Sequence, residues 1–265
     1  MIYSSLNPEK ALIWRIVHRD NLPWILDNGL HCASSEVQAP QYVNIGNADL
    51  IDKRRTRCVP IAPAGVLADY VPFYFTPFSV MMKNIQSGWS VQQRDNDEIV
   101  ILVSSLYRVE ELGLPFVFTN AHAYPSWTNY YSDLANLDQI DWSILQRRDF
   151  KRDPDDPRKM ERYQAEALIH HHLPITGLLG IMCYTDAMKE RIEQDVAARL
   201  QQFGHVDAVA FPARQDADFF LLVRPLEVER GAIGPAVHLG VAQHHDVERV
   251  GYLFPDVLVR VQRIA

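Results

Sequence analysis

The chain is short of cysteine, of net positive charge and of long apolar runs, and each shortage closes off a class of protein. Its three cysteines, Cys32, Cys58 and Cys183, stand far apart in 265 residues. They form no CxxC metal pair and no disulfide framework of the kind that staples small secreted domains. Lys plus Arg number 26 against 33 Asp plus Glu, a formal net charge of -7. That balance excludes a broad cationic glove for duplex nucleic acid, because grip on phosphate needs concentrated positive charge. A local basic site remains allowed. No stretch approaches the roughly 18 apolar residues of a membrane span, and the first residues lack a cleavable leader pattern. The reading is a soluble, cytoplasmic, monomeric protein.

Several motifs are missing too. There is no GxGxxG and no GxxxxGK[ST], which argues against Rossmann and Walker-type nucleotide sites. HExxH and zinc-deaminase spacings are absent. The runs His170-His171-His172 and His244-His245 place neighbours on different faces of any regular element, so no metal is expected.

What is present suits one large domain, with 48% hydrophobic residues. Strands are predicted at Leu12–Val17, Val71–Phe75, 98–104, Pro115–Thr119 and Gly180–Tyr184. Helices are predicted before the Asn28-Gly29 stop, near Asn47–Asp52, near Ser79–Gln86, between the strands at 98–104 and 115–119, and over Asp186–Phe203. Pro72 and Pro77 bracket the aromatic strand and point to an edge or a short strand. Beyond Val206 the runs AVAF, FFLLV and VLVRV read as added strands.

Candidate chemistry sits in a few places. Lys53-Arg54-Arg55-Thr56-Arg57 puts four cations in five positions, a phosphate site if guanidinium forks converge and a solvated face otherwise. In Tyr163-Gln164-Ala165-Glu166, an extended backbone would set Gln164 and Glu166 on one face. Such a pair could hold a sugar hydroxyl and stabilise charge at an anomeric carbon, or be ordinary surface. The aromatics of Tyr70–Phe78 and Trp127–Tyr131 suit either a stacking surface or the core. His122 lies just past an apolar strand, where site residues gather.

Seven blocks carry a resemblance: LIWRIVHRDNLPWILDNGLHC (12–32), NIGNADLIDKRR (44–55), AGVLADYVPFYFTPFS (64–79), EIVILVSS (98–105), LPFVFTNAHAY (114–124), LDQIDWSILQRRDFKRDPDDP (137–157) and ERYQAEALI (161–169). In this order and spacing the chain resembles the thymine-modifying branch of the DarT family of DNA ADP-ribosyltransferase toxins. The resemblance implies an α+β ADP-ribosyltransferase fold: two packed, mostly antiparallel sheets with an NAD cleft and peripheral helices. It implies cleavage of the nicotinamide–ribose bond of NAD and transfer of ADP-ribose to thymidine, at N3, in single-stranded DNA. A macrodomain antitoxin is the implied partner.

The family's catalytic arginine falls on Arg54 and its glutamate on Glu166. The resemblance places Gln164 in the QxE element. It assigns the nicotinamide end to Arg15, Ile16, Val17 and His18, with Asn21 and Tyr74 nearby. Many members carry HxT where this chain has Arg15-Ile16-Val17. The segment 147–162, with seven basic and five acidic residues, is the implied DNA-facing wall. Its contacts would be Arg147, Arg148, Lys151, Arg152 and Arg158, joined by His122 and Tyr163. The transferase domain is expected over 1–220, with an added strand-rich extension at 221–265. Two other readings stay open: a related transferase acting on guanine, RNA or protein, and a non-catalytic nucleic-acid-binding or defence protein.

Overall fold

A computed structural model describes residues 3–202 together with the backbone of 209–210, 250–254 and 257–263. The strands are β1 Leu12–His18, β2 Leu30–His31, β3 Tyr70–Tyr74, β4 Ile99–Ser105, β5 Phe116–Thr119, β6 Tyr130–Tyr131, β7 Glu166–His170, β8 His172–Leu173, β9 Gly180–Cys183, β10 Val209–Ala210, β11 Val250–Phe254 and β12 Val257–Arg263. The helices are α1 Leu22–Asn28, α2 Ala48–Arg54, α3 Val80–Ser87, α4 Leu106–Glu111, α5 Trp142–Arg147, α6 Lys159–Arg162 and α7 Asp186–Gln202.

The long sheet runs β10-β11-β12-β9-β4-β1-β3-β7-β5-β6, and β2 pairs with β8 beside it. Its pairs are antiparallel except β12 on β9. With several helices around the sheets, this is the expected α+β fold.

The sheet is really two leaves. On one, β1 pairs with β4 through all seven of its residues, Leu12 to His18. On the other, β3 pairs with β7 from Tyr70↔His170 to Tyr74↔Glu166. Between β1 and β3 a single register pair remains, Trp14↔Tyr74. The strands part beyond it, and the parting makes room for a site.

Most expected elements form within a residue or two of their predicted ends. Ser79 and Ser105 accept from the backbone N–H groups of Met82 and Arg108, fixing the starts of α3 and α4. Gly88, at φ 71, ends α3 in the left-handed region. Gly29 is required more strictly, because a Cβ there would lie 2.5 Å from His172 Nε2 and 2.6 Å from the Leu173 carbonyl. Only glycine lets α1 turn directly into β2 against β8.

Of the two readings of the aromatic strand, short holds and edge does not: β3 has five residues and lies inside the sheet, flanked by β1 and β7. Proline is tolerated because an extended residue turns its N and its carbonyl toward the same neighbour. The Pro72 carbonyl accepts from Arg15 Nη1 at 2.8 Å. Its missing N–H therefore faces the gap, and the ladder to β7 loses nothing. Of the late runs, AVAF contributes only β10, VLVRV lies in β12, and FFLLV falls outside the described residues.

Candidate active site

The gap holds a cavity of about 440 Å³. On β3, Tyr70, Pro72 and Tyr74 line it, while the alternate residues Val71, Phe73 and Phe75 are fully buried in the core. The period of two divides one strand between chemistry and packing. From β1, Arg15 and Ile16 reach the same space, as do Arg54, His122, Gln164 and Glu166.

Glu166 is the first residue of β7 and sits opposite Tyr74. Thr119 fixes its backbone, since Thr119 Oγ1 accepts the Glu166 N–H at 3.1 Å and donates to the Ala121 carbonyl at 2.6 Å. The carboxylate is 2% exposed. Arg54 comes to it from the last position of α2, whose start is capped by Asn47 accepting from the Leu50 N–H. Arg54 Nη1 donates to Oε1 at 3.1 Å, and Nη2 lies 2.9 Å from Oε2. The pair is thus one hydrogen bond beside one close ionic contact, because Nη2, although buried, has no hydrogen-bond partner among the described residues. The Ala123 N–H adds a bond to Oε1 at 2.9 Å, and His122 Nε2 stands 3.9 Å away.

Burial alone would raise the Glu166 carboxyl pKa; Arg54, His122 and the Ala123 N–H outweigh it, and the net direction is down. His122 moves down as well, chiefly through burial. Because the Tyr124 N–H donates to His122 Nδ1 at 3.1 Å, the neutral ring carries its proton on Nε2, toward the carboxylate. Burial, then the charge of Glu166, pushes Tyr74 and Tyr130 up to about 12. At neutral pH the cavity is lined by one ionised carboxylate, Glu166, and by the guanidinium groups of Arg15, Arg54 and Arg55.

The residues named from the sequence separate in space. Arg15, Ile16, Arg54, Tyr74, His122, Gln164 and Glu166 line one cavity. Val17 is core. His18 is buried and turned to Glu98, whose carboxylate lies 3.3 Å from Nε2. Asn21 bonds to Val43 instead of lining the cavity. Tyr163 is 1% exposed and donates to the Phe78 carbonyl, so it packs and presents nothing outward. Arg148 lays its guanidinium on the Tyr3 and Phe78 rings. Arg147, Lys151, Arg152 and Arg158 are exposed. Lys159 and Arg162 are instead paired, with Asp149 and Asp153, and with Asp141 and Asp156.

Sequence reasoning missed part of the wall. Trp24, His31, Gln38, Tyr42 and Met81 also line the cavity. Residues 33–52 are polar and irregular in sequence apart from the short helix expected at Asn47–Asp52, and no local signal marks such a loop as a wall. Among the described residues no group of three or more His, Cys, Asp or Glu could hold a metal ion, and no helix is long and apolar enough to cross a membrane.

A buried, ionised carboxylate paired with arginine is suited to stabilising positive charge that develops on a sugar carbon. The class this defines is a glycosyl-transfer site in a split antiparallel sheet. The family model for the ssDNA thymidine ADP-ribosyltransferase DarT matches residues 14–213. A DNA ADP-ribosyl transferase of Escherichia coli O127:H6 is 63% identical over 192 residues, covering 72% of this chain and 88% of that protein. Thermus sp. 2.9 DarT in complex with ADP-ribosylated ssDNA superposes with a TM-score of 0.67 at 34% identity, covering 72% of this chain and 90% of the other. The same Thermus protein in complex with NAD+ gives a TM-score of 0.63 at 32% identity over the same shares. The chain belongs to the DarT family of DNA ADP-ribosyltransferases.

Proposed function

We propose that this chain is an NAD-dependent mono-ADP-ribosyltransferase that modifies thymidine, at N3, in single-stranded DNA within a short sequence context. The observation that carries the reading is the buried Arg54–Glu166 ion pair inside the cavity between β1 and β3. The residues fit NAD as cosubstrate. Arg54 suits a phosphate, Glu166 a ribose hydroxyl, and Arg15 carries a buried Nε with no hydrogen-bond partner among the described residues. A buried donor of that kind calls for an acceptor.

NAD supplies a ribose carbon bonded to a cationic nicotinamide, which departs with the bonding electron pair. Glu166, kept ionised by Arg54, stabilises the charge left on that carbon. As thymine N3 bonds to it, the N3 proton must go; Glu166 is the carboxylate placed to accept it and pass it to solvent. His122, neutral with its Nε2–H turned inward, offers a donor to the incoming base.

The strand outside this pocket meets a ledge. The Arg158 guanidinium lies 4.7 Å from the centre of the Trp127 ring, and Tyr124, three residues before Trp127, is exposed. Both aromatics belong to the loop that bonds Glu166 through Ala123. Aromatic rings with a nearby guanidinium suit unpaired bases and their phosphates. Arg147, Lys151 and Arg152 add local positive charge despite the acidic whole. The transferase unit is assigned to residues 1–220, with 221–265 as an extension. In the cell the chain is a toxin that blocks replication by marking template thymines, opposed by a macrodomain antitoxin.

Mass spectrometry of defined oligonucleotides incubated with protein and NAD tests the reading. The expected product is thymidine gaining one ADP-ribose, lost with Glu166→Ala. Modification confined to guanine, RNA or protein, or no product from folded protein on any thymidine-bearing strand, would overturn it.

A further inference from the structure

Asn21 stands at the start of α1, at a position where asparagine ordinarily caps its own helix. It makes no capping bond. Both ends of its amide go elsewhere: Nδ2 donates to the Val43 carbonyl at 2.9 Å, and Oδ1 accepts the Val43 N–H at 2.8 Å. The side chain thus imitates a strand neighbour toward one residue 22 positions away, and it is 2% exposed. Among the described residues, these two bonds are the backbone hydrogen bonds that tie 39–46 to the rest of the molecule.

That segment is cavity wall. Tyr42, Asn44, Ile45, Gly46 and Asn47 all line the site. Its last residue, Asn47, caps α2, and α2 ends in Arg54. Asn47 Nδ2 also donates to the Ser90 carbonyl, which closes the wall from the far side. A continuous path therefore runs from Asn21 through Val43 to Asn47 and Arg54.

We propose that Asn21 is a positioning residue: it touches no substrate, and its amide clamps the 42–47 wall so that the cavity is preformed for NAD. The identity of the ligand rests on the function proposed above; the clamp itself does not. Preformed walls strengthen binding by removing the cost of ordering them afterward. Losing two neutral hydrogen bonds is expected to weaken NAD binding about tenfold. The chemistry at Glu166 should change far less.

The test uses the full chain with Asn21→Ala and Asn21→Asp. In ligand-free protein, amide hydrogen exchange at Val43 should speed up about tenfold or more in Asn21→Ala while β4 keeps its protection. KM for NAD should rise about tenfold, with kcat within about threefold. Asn21→Asp keeps the acceptor for the Val43 N–H but sets a carboxylate against the Val43 carbonyl. Protonation restores a donor, so its affinity relative to wild type should recover as pH falls. Unchanged exchange at Val43, or a fall in kcat with KM unmoved, would overturn the proposal. If the wild type binds no NAD, the proposed function fails, and exchange at Val43 alone decides the clamp. If Asn21→Ala does not fold, the pH dependence of Asn21→Asp decides it.

Discussion

Strands β4 and β3 lie one strand apart and are built on opposite plans. Every residue of β4 is buried, and it pairs with β1 and β9. Its run IVILVSS needs no alternation because both faces are covered. In β3, Tyr70, Val71 and Phe73 are buried, whereas Pro72 and Tyr74 are half-buried and face the cavity. The first strand is made for cohesion. The second gives up pairing with β1 beyond Tyr74, and the gap becomes the place where Arg54 and Glu166 meet. Stability and chemistry are thus assigned to strands on opposite sides of β1, and mutations should separate them.

The largest effect belongs to the site. Glu166→Gln keeps the shape but removes the charge, and a loss of about 10²–10³-fold in kcat is expected for removing one preorganised electrostatic partner. Single-turnover transfer to a thymidine oligonucleotide measures it. Secondary structure should persist, while thermal stability drops because Arg54 loses its buried counter-charge. On the other strand, Ile101→Ala should cost about 2–5 kcal/mol in urea denaturation. The folded fraction should retain its specific activity. If activity per folded molecule fell with Ile101→Ala as far as with Glu166→Gln, the division between the strands would be wrong.

Acid should expose the same contrast. His122 and Glu166 both bind protons less readily in the folded protein than their ordinary values of 6.5 and 4.5. As pH falls below 6.5, the unfolded chain takes up a proton that folded His122 refuses; below 4.5 the same holds for Glu166. Stability from both is present above those values and is lost on acidification. His31 and His170 are shifted down too, each first by burial. Melting temperature against pH should therefore fall in two stages, and His122→Asn should shrink only part of the upper one.

The smallest effects lie on the ledge. Arg158→Ala should weaken binding of single-stranded DNA about tenfold, an effect of about 1–3 kcal/mol if stacking on Trp127 suffers with it. Lys151→Ala should make the salt dependence of that binding shallower by about 0.7, the share of one phosphate on a single strand. Arg148→Ala should leave the slope unchanged, because its guanidinium is held by Tyr3 and Phe78.

Much of the frame was legible in the chain. Apolar runs, helical spacing and glycine stops placed β1, β4, α3 and α4 closely, because these depend on residues adjacent in sequence. Arg54 and Glu166 emerged through a family resemblance, since 112 positions separate them and composition favoured solvent for both. The same resemblance gave His18 and Asn21 as cofactor contacts, yet the fold turns His18 to Glu98 and Asn21 to Val43. Tyr163 and Arg148 looked outward in a basic loop, and packing drew both inward.

The sequence by itself determined which segments become strands and helices, and which residue types could carry charge or stack. Tertiary structure alone decided that β1 and β3 part after one pair, that Pro72 faces the opening, and that a polar loop becomes a wall. The reason is physical. Hydrophobic period and caps act over a few residues, whereas a cavity exists only where distant strands fail to meet, and no local pattern records a missing neighbour.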